Sequence, residues 1–416
     1  MDQNTQTTEE QQPKKPSVGK VLYLISVLLL TAVMLFALLM YLWPREAPQP
    51  EPTVSYPTLG NTPPVTDPPE TAPTYPPVLE GETDIRLNPL TGPVSLLGKA
   101  AGDYLAAENV SDVSEFVSRY WEVETRSDRG RPVELGYTVY SLPQDVEVES
   151  AVFHLYEPNG SGNYREYLPA EGFRSVYIYN LRTGTDYDYC CVIALSDGQT
   201  LTLKGSFQTA AGPRLLNISG LVNVRDLGGW VTADGKTVKQ GLLYRGSEMD
   251  GAVEADFKLT AEGLEQLQAL GIKTDFDLRH NGADAIPGAE HLYYDAIQYE
   301  HAFTQEGLEA VGKLFADLAE PENYPAYLHC TYGADRTGTM CYLLLGLLGV
   351  SDADLKRDYE LTAMYYGYVS PAQMDAFVAK IAALPGENTQ ARVEYFLRSA
   401  GVTDQQMESI RQIFLG

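Results

Sequence analysis

Cys330 and Arg336 are separated by five residues, in a stretch that lies between two apolar runs. The run 326–328 before this stretch is typical of the end of a buried strand, and the run 340–350 after it is typical of a buried helix. A loop between a strand and a helix N-terminus brings free backbone N–H groups and the positive end of the helix dipole to one point, where an anion can bind. The spacing therefore predicts an anion-binding loop that contains a thiol.

The residue types in this loop, residues 330–336, predict phosphate-ester chemistry, and we call it the phosphate loop. A thiol over an anion site loses its proton more easily, and the thiolate is the nucleophile. The guanidinium of Arg336 can hold two phosphate oxygens at once, and the hydroxyl of Thr337 can donate to the thiolate or to the departing phosphate. We expect hydrolysis through a cysteinyl-phosphate, without a metal or other cofactor. The expected phosphate-binding residues are Thr331, Tyr332, Gly333, Ala334, Asp335 and Arg336.

Two side chains near the thiol have predicted roles, and the reaction also needs a source of protons. His329 is expected to form hydrogen bonds that shape the loop and favour the thiolate, and Cys341 is expected to pack inside the apolar helix. The departing alkoxide or phenoxide needs a general acid. Asp335 inside the loop and Asp295 and Asp284 upstream of it are the candidates, and the residues alone leave this choice open.

The pattern His-Cys-x5-Arg-Thr-Gly over residues 329–338 resembles the signature loop of the cysteine-dependent tyrosine phosphatase superfamily. Within this superfamily, the loop is most similar to that of a bacterial tyrosine phosphatase family, whose members carry an Asp directly before the loop Arg. The segments Asn-Val-Arg-Asp-Leu-Gly-Gly at 223–229, Leu-Tyr-Arg-Gly at 243–246 and Asp-Leu-Arg at 277–279 follow that family's order. The resemblance covers about residues 212–416 and implies a protein-tyrosine phosphatase. It favours Asp335 as the general acid, with Asp295 as the alternative, because many superfamily members carry the acid on a separate loop.

The resemblance also assigns supporting residues and shows one departure. It implies that Arg225 and Asp226 brace the phosphate loop from below, the alternative being a surface ion pair between them. Asp277 and Arg279 are expected to be structural neighbours of the site. Family members often have Lys where this chain has Ala334, and that Lys helps hold multiply phosphorylated lipids or sugars. A phosphotyrosine protein is thus the expected substrate, and a phosphoinositide or sugar-phosphate phosphatase is an alternative.

Charge and cysteine content exclude several classes of protein. The chain has 416 residues, of which 30 are basic and 56 acidic, and its formal net charge is −26. Such a charge argues against a nucleic-acid partner, because the phosphate backbone would be repelled. The four cysteines are too few for a disulfide scaffold, and no cysteine pair has metal-ligand spacing with histidine.

The N-terminal part of the chain predicts a membrane anchor. Residues 1–20 are polar and without periodicity, which predicts a disordered tail. Residues 21–43 form an uncharged apolar run of the length that spans a bilayer, without the short apolar core and small-residue cleavage site of a signal peptide. Lysines precede the run, so the N-terminus is expected in the cytoplasm and the rest of the chain outside. Residues 44–79 are rich in proline and predict an extended spacer.

The middle of the chain predicts a β-sandwich. Residues 80–117 have some helical character and give no clear prediction, so an irregular lead-in is one interpretation. Short alternating segments rich in Val, Tyr, Ile and Thr, separated by turn residues, predict a sandwich over 118–210. Residues 181–187 (Leu-Arg-Thr-Gly-Thr-Asp-Tyr) resemble the corner before strand F of a fibronectin type III domain, where the Tyr hydroxyl ties back to the backbone. Its tyrosines are expected to pack in the sandwich, and binding of a cell-surface partner is the alternative.

Strands that alternate with helices, followed by a helical tail, predict an α/β fold with a mostly parallel sheet flanked by helices over residues 212–416. Open sheets of this kind bind ligands at the carboxyl ends of their strands, which is where Cys330 is expected. The leading hypothesis is a membrane-anchored phosphatase acting outside the cell. The alternative is an adhesion or scaffold protein whose phosphatase-like domain only binds phosphate groups.

Overall fold

A computed structural model of the chain describes residues 82–107, 113–120, 124, 126–279, 286–294, 298–367, 369 and 371–416. The predicted tail, membrane span and spacer lie outside the described residues, and so do Asp284 and Asp295. Within the described ranges no helix combines the length and the apolar character needed to cross a bilayer.

Seven antiparallel strands in two sheets form the first part of the structure. One sheet has the order β1-β2-β5 and the other the order β4-β3-β6-β7. Both sheets contribute side chains to one hydrophobic core, in which Leu135 of the first sheet and Phe153 of the second are fully buried. The strands are β1 (Asp84–Leu87), β2 (Val133–Ser141), β3 (Val148–Tyr156), β4 (Tyr164–Tyr167), β5 (Ser175–Ile178), β6 (Asp186–Leu195) and β7 (Thr200–Gln208).

The described residues of the segment predicted as an irregular lead-in form a strand and two helices, which belong to different parts of the structure. Its strand β1 pairs with β2 in the first sheet. Its two helices, α1 (Lys99–Ala106) and α2 (Ser114–Tyr120), pack instead on the core that underlies the phosphate loop. The hydroxyl of Tyr104 donates to the carboxylate of Glu360 at 2.5 Å, which fixes α1 to the C-terminal helices. The pattern alone did not show this because the apolar face of each helix is only one to two turns long.

A five-stranded sheet carries the predicted phosphate loop. Its order is β11-β10-β12-β9-β8, in which the first four strands are parallel and β8 is an antiparallel edge. The α/β fold with a mostly parallel sheet is therefore confirmed. Cys330 follows directly after β12, at the carboxyl edge of this central strand. The strands are β8 (Arg225–Asp226), β9 (Leu243–Gly246), β10 (Thr274–Asp277), β11 (Glu290–Tyr293) and β12 (Ala326–His329).

Helices cover this sheet, and one of them holds the loop from behind. The helix that begins at Asp335 is almost entirely buried, because its Leu and Met side chains face apolar neighbours on every side. Its N-terminus is the far end of the phosphate loop. In chain order the helices are α3 (Ala261–Leu270), α4 (Gln305–Leu318), α5 (Asp335–Leu347), α6 (Asp352–Glu360), α7 (Ala363–Tyr366), α8 (Pro371–Ala382), α9 (Thr389–Ser399) and α10 (Asp404–Leu415).

Candidate active site

Cys330 lies between the carboxyl end of β12 and the N-terminus of α5, and its thiol is shifted toward the thiolate. Burial alone would raise the pKa of Cys330. The charge of Arg336, the hydroxyl and N–H of Thr337 and the N–H of Tyr332 outweigh burial, so the net pKa lies below its ordinary value. By contrast, burial raises the pKa of Cys341 to about 11. The protein thus distinguishes a nucleophilic thiol from an inert one on the neighbouring helix.

The loop turns inward at Gly333, which has a φ of +65°. A Cβ atom at this position would overlap the backbone carbonyl of Gly246 at the end of β9. Only glycine therefore satisfies both the left-handed conformation and the close approach of the two backbones. This turn directs the amides that follow Cys330 toward the sulfur.

Arg336 lies on the same side of the loop as the sulfur. Its Nη2 donates to the hydroxyl of Thr331 at 3.2 Å, and its Nη1 donates to the carbonyl of Leu278 at 3.1 Å. These two bonds fix the plane of the guanidinium beside the thiolate. A planar fork held in this way is suited to two oxygens of one phosphoryl group.

His329 is fully buried, and its imidazole contacts a carboxylate and the backbone of the loop. Its Nε2 lies 3.0 Å from Oδ1 of Asp275, and its Nδ1 lies 3.3 Å from the carbonyl oxygen of Cys330. Burial would lower the pKa of His329, but the carboxylate of Asp275 raises it to about 8. A cationic imidazole is therefore buried behind the nucleophile, where it contacts the loop backbone and holds the start of the loop in place.

Asp335, the candidate acid, is held by Tyr299, which in turn contacts a second tyrosine. The hydroxyl of Tyr299 donates to Oδ1 of Asp335 at 2.5 Å, and it lies 2.7 Å from the hydroxyl of Tyr359. The hydroxyl of Thr339 donates to the backbone carbonyl of Asp335 and accepts from the N–H of Tyr299. The carboxylate is thus fixed at the first turn of α5, directly before Arg336. Asp295, the alternative acid, lies outside the described residues.

Arg225 lies in a buried ionic network that reaches the phosphate loop through Asp358 and Arg245. Its Nε and Nη2 donate to the carboxylate and the carbonyl of Asp358 on α6, at 3.1 and 2.7 Å. The other oxygen of Asp358 accepts from Arg245 at 2.5 Å, and Arg245 also donates to the carbonyl of Gly333 at 2.7 Å. Burial would raise the pKa of Asp358, but the two guanidinium groups hold it below its ordinary value.

Asp226 does not share this role, and it is not part of a surface ion pair either. Its carboxylate accepts from Nη1 of Arg214 at 3.0 Å and from the N–H groups of Gly228 and Gly241 at 2.9 and 2.7 Å. Successive side chains of a strand face opposite sides, so Arg225 points to the loop and Asp226 points away from it. Asp226 therefore supports the connection between the sandwich and the sheet.

Several residues of the site were not predicted as members of it. Arg245 and Asn223 belong to the two upstream segments that carry the family resemblance, so a signal for them existed. Asp358 and Tyr299 had no signal in the sequence, because each contacts the site only after distant elements have packed together. Asp277 and Arg279, predicted as structural neighbours, form a buried ion pair at 2.8 Å next to the site.

The remaining predicted residues take ordinary places in the loop. The carbonyl of Thr331 accepts from the N–H of Glu248 at 3.0 Å. Ala334 is the last residue before α5. Tyr332 is partly exposed, and its hydroxyl donates to Glu254. In the part of the chain that the structure describes, no group of three or more His, Cys, Asp or Glu side chains is arranged to hold a metal ion.

Two curated proteins with similar sequences are named as tyrosine-protein phosphatases. A protein of Cupriavidus necator that is provisionally named a tyrosine-protein phosphatase is 30% identical over 169 residues, 33% of this chain and 59% of its own length. The tyrosine-protein phosphatase of Nostoc commune is 26% identical over 135 residues, 26% of this chain and 46% of its own length. The chain thus spans about half the length of these curated relatives.

The core catalytic domain of the PP-IP phosphatase SIW14 from S. cerevisiae, in complex with citrate, is similar at 15% identity with a TM-score of 0.26. That match covers 37% of this chain and 84% of the solved one. The sequence model described as "Tyrosine phosphatase family" matches residues 216–416, the range that contains Arg225, Arg245, Asp335 and the whole phosphate loop. The C-terminal half of the chain is therefore similar to the tyrosine phosphatase family.

Proposed function

We propose that the chain is a phosphatase that hydrolyses phosphate monoesters of proteins, foremost phosphotyrosine, through a cysteinyl-phosphate on Cys330. The observation that carries the proposal is the position of the buried Cys330 thiol between β12 and the N-terminus of α5, where Arg336 and the amides of Tyr332 and Thr337 act on the sulfur and lower its pKa. The same amides and guanidinium are suited to the three oxygens of a phosphoryl group.

The reaction has two steps. The Cys330 thiolate attacks phosphorus in line, the S–P bond forms and the ester P–O bond breaks. Asp335 gives its proton to the departing oxygen, which leaves as a phenol or alcohol. Water then attacks the cysteinyl-phosphate, Asp335 accepts the proton from that water, and phosphate and the thiolate are released. Arg336 holds the equatorial oxygens in both steps and stabilises the charge that develops on them.

The test is turnover of phosphotyrosyl, phosphoseryl, phosphoinositide and sugar-phosphate substrates by the whole chain. Turnover of an aryl phosphate that disappears in Cys330→Ser, with the fold retained, supports the proposal. Hydrolysis confined to the lipid or sugar esters would replace the protein substrate by one of those classes. Tight phosphopeptide binding without turnover by the unmutated protein would point to the scaffold alternative.

We further propose that residues 21–43 anchor the chain in the cell membrane and that the later residues lie outside. The uncharged apolar run and the lysines that precede it support this arrangement. Protease added to intact cells should then cleave after residue 43 and release the catalytic domain. Full protection of that region in intact cells, with cleavage after lysis, would reverse the orientation.

We propose that residues 118–210 form a fibronectin type III-like sandwich, extended upstream by β1. Two antiparallel sheets around one core support this. So does the corner at Tyr187, whose hydroxyl accepts from the N–H of Arg182 at 3.0 Å. Removing that hydroxyl in Tyr187→Phe should lower the free energy of unfolding by about 1 kcal/mol. An unchanged stability would show that this hydrogen bond does not hold the corner together.

A further inference from the structure

The carbonyls of Tyr332 and Gly333 must point outward if the amides of the phosphate loop are to converge on an anion. The side-chain Nδ2 of Asn223 donates to both carbonyls, at 3.1 and 3.2 Å. The hydroxyl of Tyr366 donates to the carbonyl of Tyr332 at 2.9 Å, and Arg245 donates to that of Gly333. Asn223 is the one of these three donors that contacts both carbonyls, so its position sets the orientation of two successive peptide planes.

Asn223 is itself held in an uncommon conformation. Its φ is +57°, in the left-handed region that residues other than glycine seldom adopt, although Asn tolerates it better than most. The residue is 2% exposed. Its Oδ1 accepts from Arg225 at 2.5 Å, and its backbone N–H donates to Oδ2 of Asp128 at 2.8 Å. One bond therefore fixes the side chain of Asn223 and the other fixes its backbone.

Asp128 comes from outside the domain that matches the phosphatase family. It lies 95 positions before Asn223, in the connection between α2 and β2, and it is 3% exposed. The guanidinium of Arg126 donates to both of its oxygens, at 2.9 and 3.1 Å. Arg126 also donates to the carbonyl of Leu221 at 3.3 Å, so the pair is anchored to the segment that leads into Asn223.

A second contact from the same segment approaches the loop. The guanidinium of Arg126 lies 4.9 Å from the ring centroid of Tyr365. Tyr365 packs edge-on against Tyr366, whose hydroxyl holds the carbonyl of Tyr332. Arg126 and Asp128 are thus both linked to the carbonyl of Tyr332. Arg126 is linked to it through the two tyrosines, and Asp128 is linked to it through Asn223.

From this juxtaposition we propose that Asp128 is a positioning residue of the phosphate loop, acting through the backbone N–H of Asn223. The proposal rests on the proposed function of the same site and adds to it a dependence on a segment upstream of the family domain. Asp128 orients the amides that receive the phosphoryl group and does not contact the substrate. Its loss should therefore weaken phosphate binding and thiolate formation together.

The experiment uses the whole chain with three single variants. Asp128→Ala removes the acceptor, and Asp128→Asn keeps an oxygen of the same size without the charge. Glu124→Gln is the matched control, because Glu124 is a buried carboxylate of the same segment that accepts from the N–H groups of Lys99 and Ala100 instead. Three quantities are measured for each variant: kcat/KM for an aryl phosphate, the inhibition constant of inorganic phosphate, and the pH dependence of Cys330 alkylation by iodoacetate.

Asp128→Ala should lower kcat/KM by about tenfold or more, weaken inhibition by phosphate, and move the alkylation midpoint to higher pH. Asp128→Asn should fall between Asp128→Ala and the unmutated protein in all three quantities. Glu124→Gln should lose thermal stability yet keep each quantity within about twofold when assayed while folded.

Two results would overturn the proposal. One is an Asp128→Asn or folded Asp128→Ala protein with all three quantities unchanged. The other is an equal loss in Glu124→Gln at the same fraction folded, which would make Asp128 a merely structural residue. If the unmutated protein turns over no phosphate ester, the proposed function fails. The pH dependence of Cys330 alkylation, and the protection of Cys330 by inorganic phosphate, can then still be compared between the variants to test the role of Asp128.

Discussion

The guanidinium of Arg245 joins the carbonyl of Gly333 in the phosphate loop to the carboxylate of Asp358 on α6, at 2.7 and 2.5 Å. All three groups are buried. The loop therefore does not owe its shape to its own sequence alone. Asp358, a carboxylate 25 residues beyond Gly333, and the arginines of β8 and β9 hold the loop in place through buried contacts.

Replacement of Arg245 by Lys should impair both stability and catalysis. Lys cannot donate to Asp358 and to the Gly333 carbonyl at the same time with the geometry of the fork. Breaking one partner of a buried ion pair costs about 3–5 kcal/mol. We expect a loss near the low end, because Arg225 still pairs with Asp358, and a fall in kcat/KM of about 100-fold. Denaturant unfolding and steady-state kinetics measure both. Normal kcat/KM in a folded Arg245→Lys protein would show that the loop does not need this bond.

The identity of the general acid can be tested by the leaving group. A proton donor matters most when the leaving oxygen is strongly basic. Asp335→Asn should therefore lower kcat for phenyl phosphate by about 100-fold or more and for p-nitrophenyl phosphate by much less. Tyr299→Phe removes the donor to Asp335. It should also lower kcat more for phenyl phosphate than for p-nitrophenyl phosphate, but by a smaller factor than Asp335→Asn. Asp295→Asn is the comparison. If Asp295→Asn lowers kcat selectively for phenyl phosphate and Asp335→Asn does not, Asp295 is the general acid and Asp335 is not.

Gly333→Ala should abolish activity because of a backbone clash. Gly401 is the matched control, since its φ of +86° is also left-handed but a Cβ there meets nothing within 4 Å. In both variants the left-handed conformation should lower the free energy of unfolding by about 1 kcal/mol. Only Gly333→Ala also displaces the loop against Gly246. Comparison of kcat/KM at equal fraction folded separates these effects. Similar activity in the two variants would mean that the loop absorbs the extra atom.

Sequence patterns predicted those features that a residue and its near neighbours determine. Thr260 accepts from the N–H of Gly263 at the start of α3, and Gly271 ends that helix with a φ of +75°; Thr and Gly are residue types that favour these two positions. The order strand, Cys-x5-Arg loop and buried helix was likewise visible, since burial on all sides leaves a continuous apolar run.

Contacts between segments that are far apart in the chain could not be predicted from the sequence pattern. Arg225 and Asp358 are 133 positions apart, and Asn223 and Asp128 are 95 apart. Which buried charges pair depends on how the helices pack, and a charged residue on a helix is by default solvent-exposed. The separate roles of Arg225 and Asp226 could have been inferred, because the alternation of a strand places neighbours on opposite faces.

His329 should make the stability of the protein fall as the pH rises. Asp275 raises the pKa of His329 from 6.5 to about 8 against the opposing effect of burial. The stabilisation is complete well below the unfolded pKa and is lost as the pH rises through the folded pKa. The full shift corresponds to about 2 kcal/mol, of which about 1.5 kcal/mol is lost between pH 6.5 and 8.5.

The measurement is the free energy of unfolding against pH in a Cys330→Ser background. This background is needed because the lowered pKa of the Cys330 thiol stabilises the fold as the pH rises and so opposes the effect of His329. His329→Asn in the same background should remove most of the fall. Parallel curves for the two proteins would show that the imidazole does not carry a buried charge.

The most direct test of the account is to trap the phosphorylated protein. The whole chain is mixed with an aryl phosphate that carries labelled phosphorus, quenched within milliseconds and digested for mass spectrometry. We predict label on the peptide that contains Cys330, with the phosphorus bound to sulfur, and no label and no turnover in Cys330→Ser. Label on any other residue, or turnover that persists in the Cys330→Ser protein, would contradict a mechanism through the Cys330 thiolate.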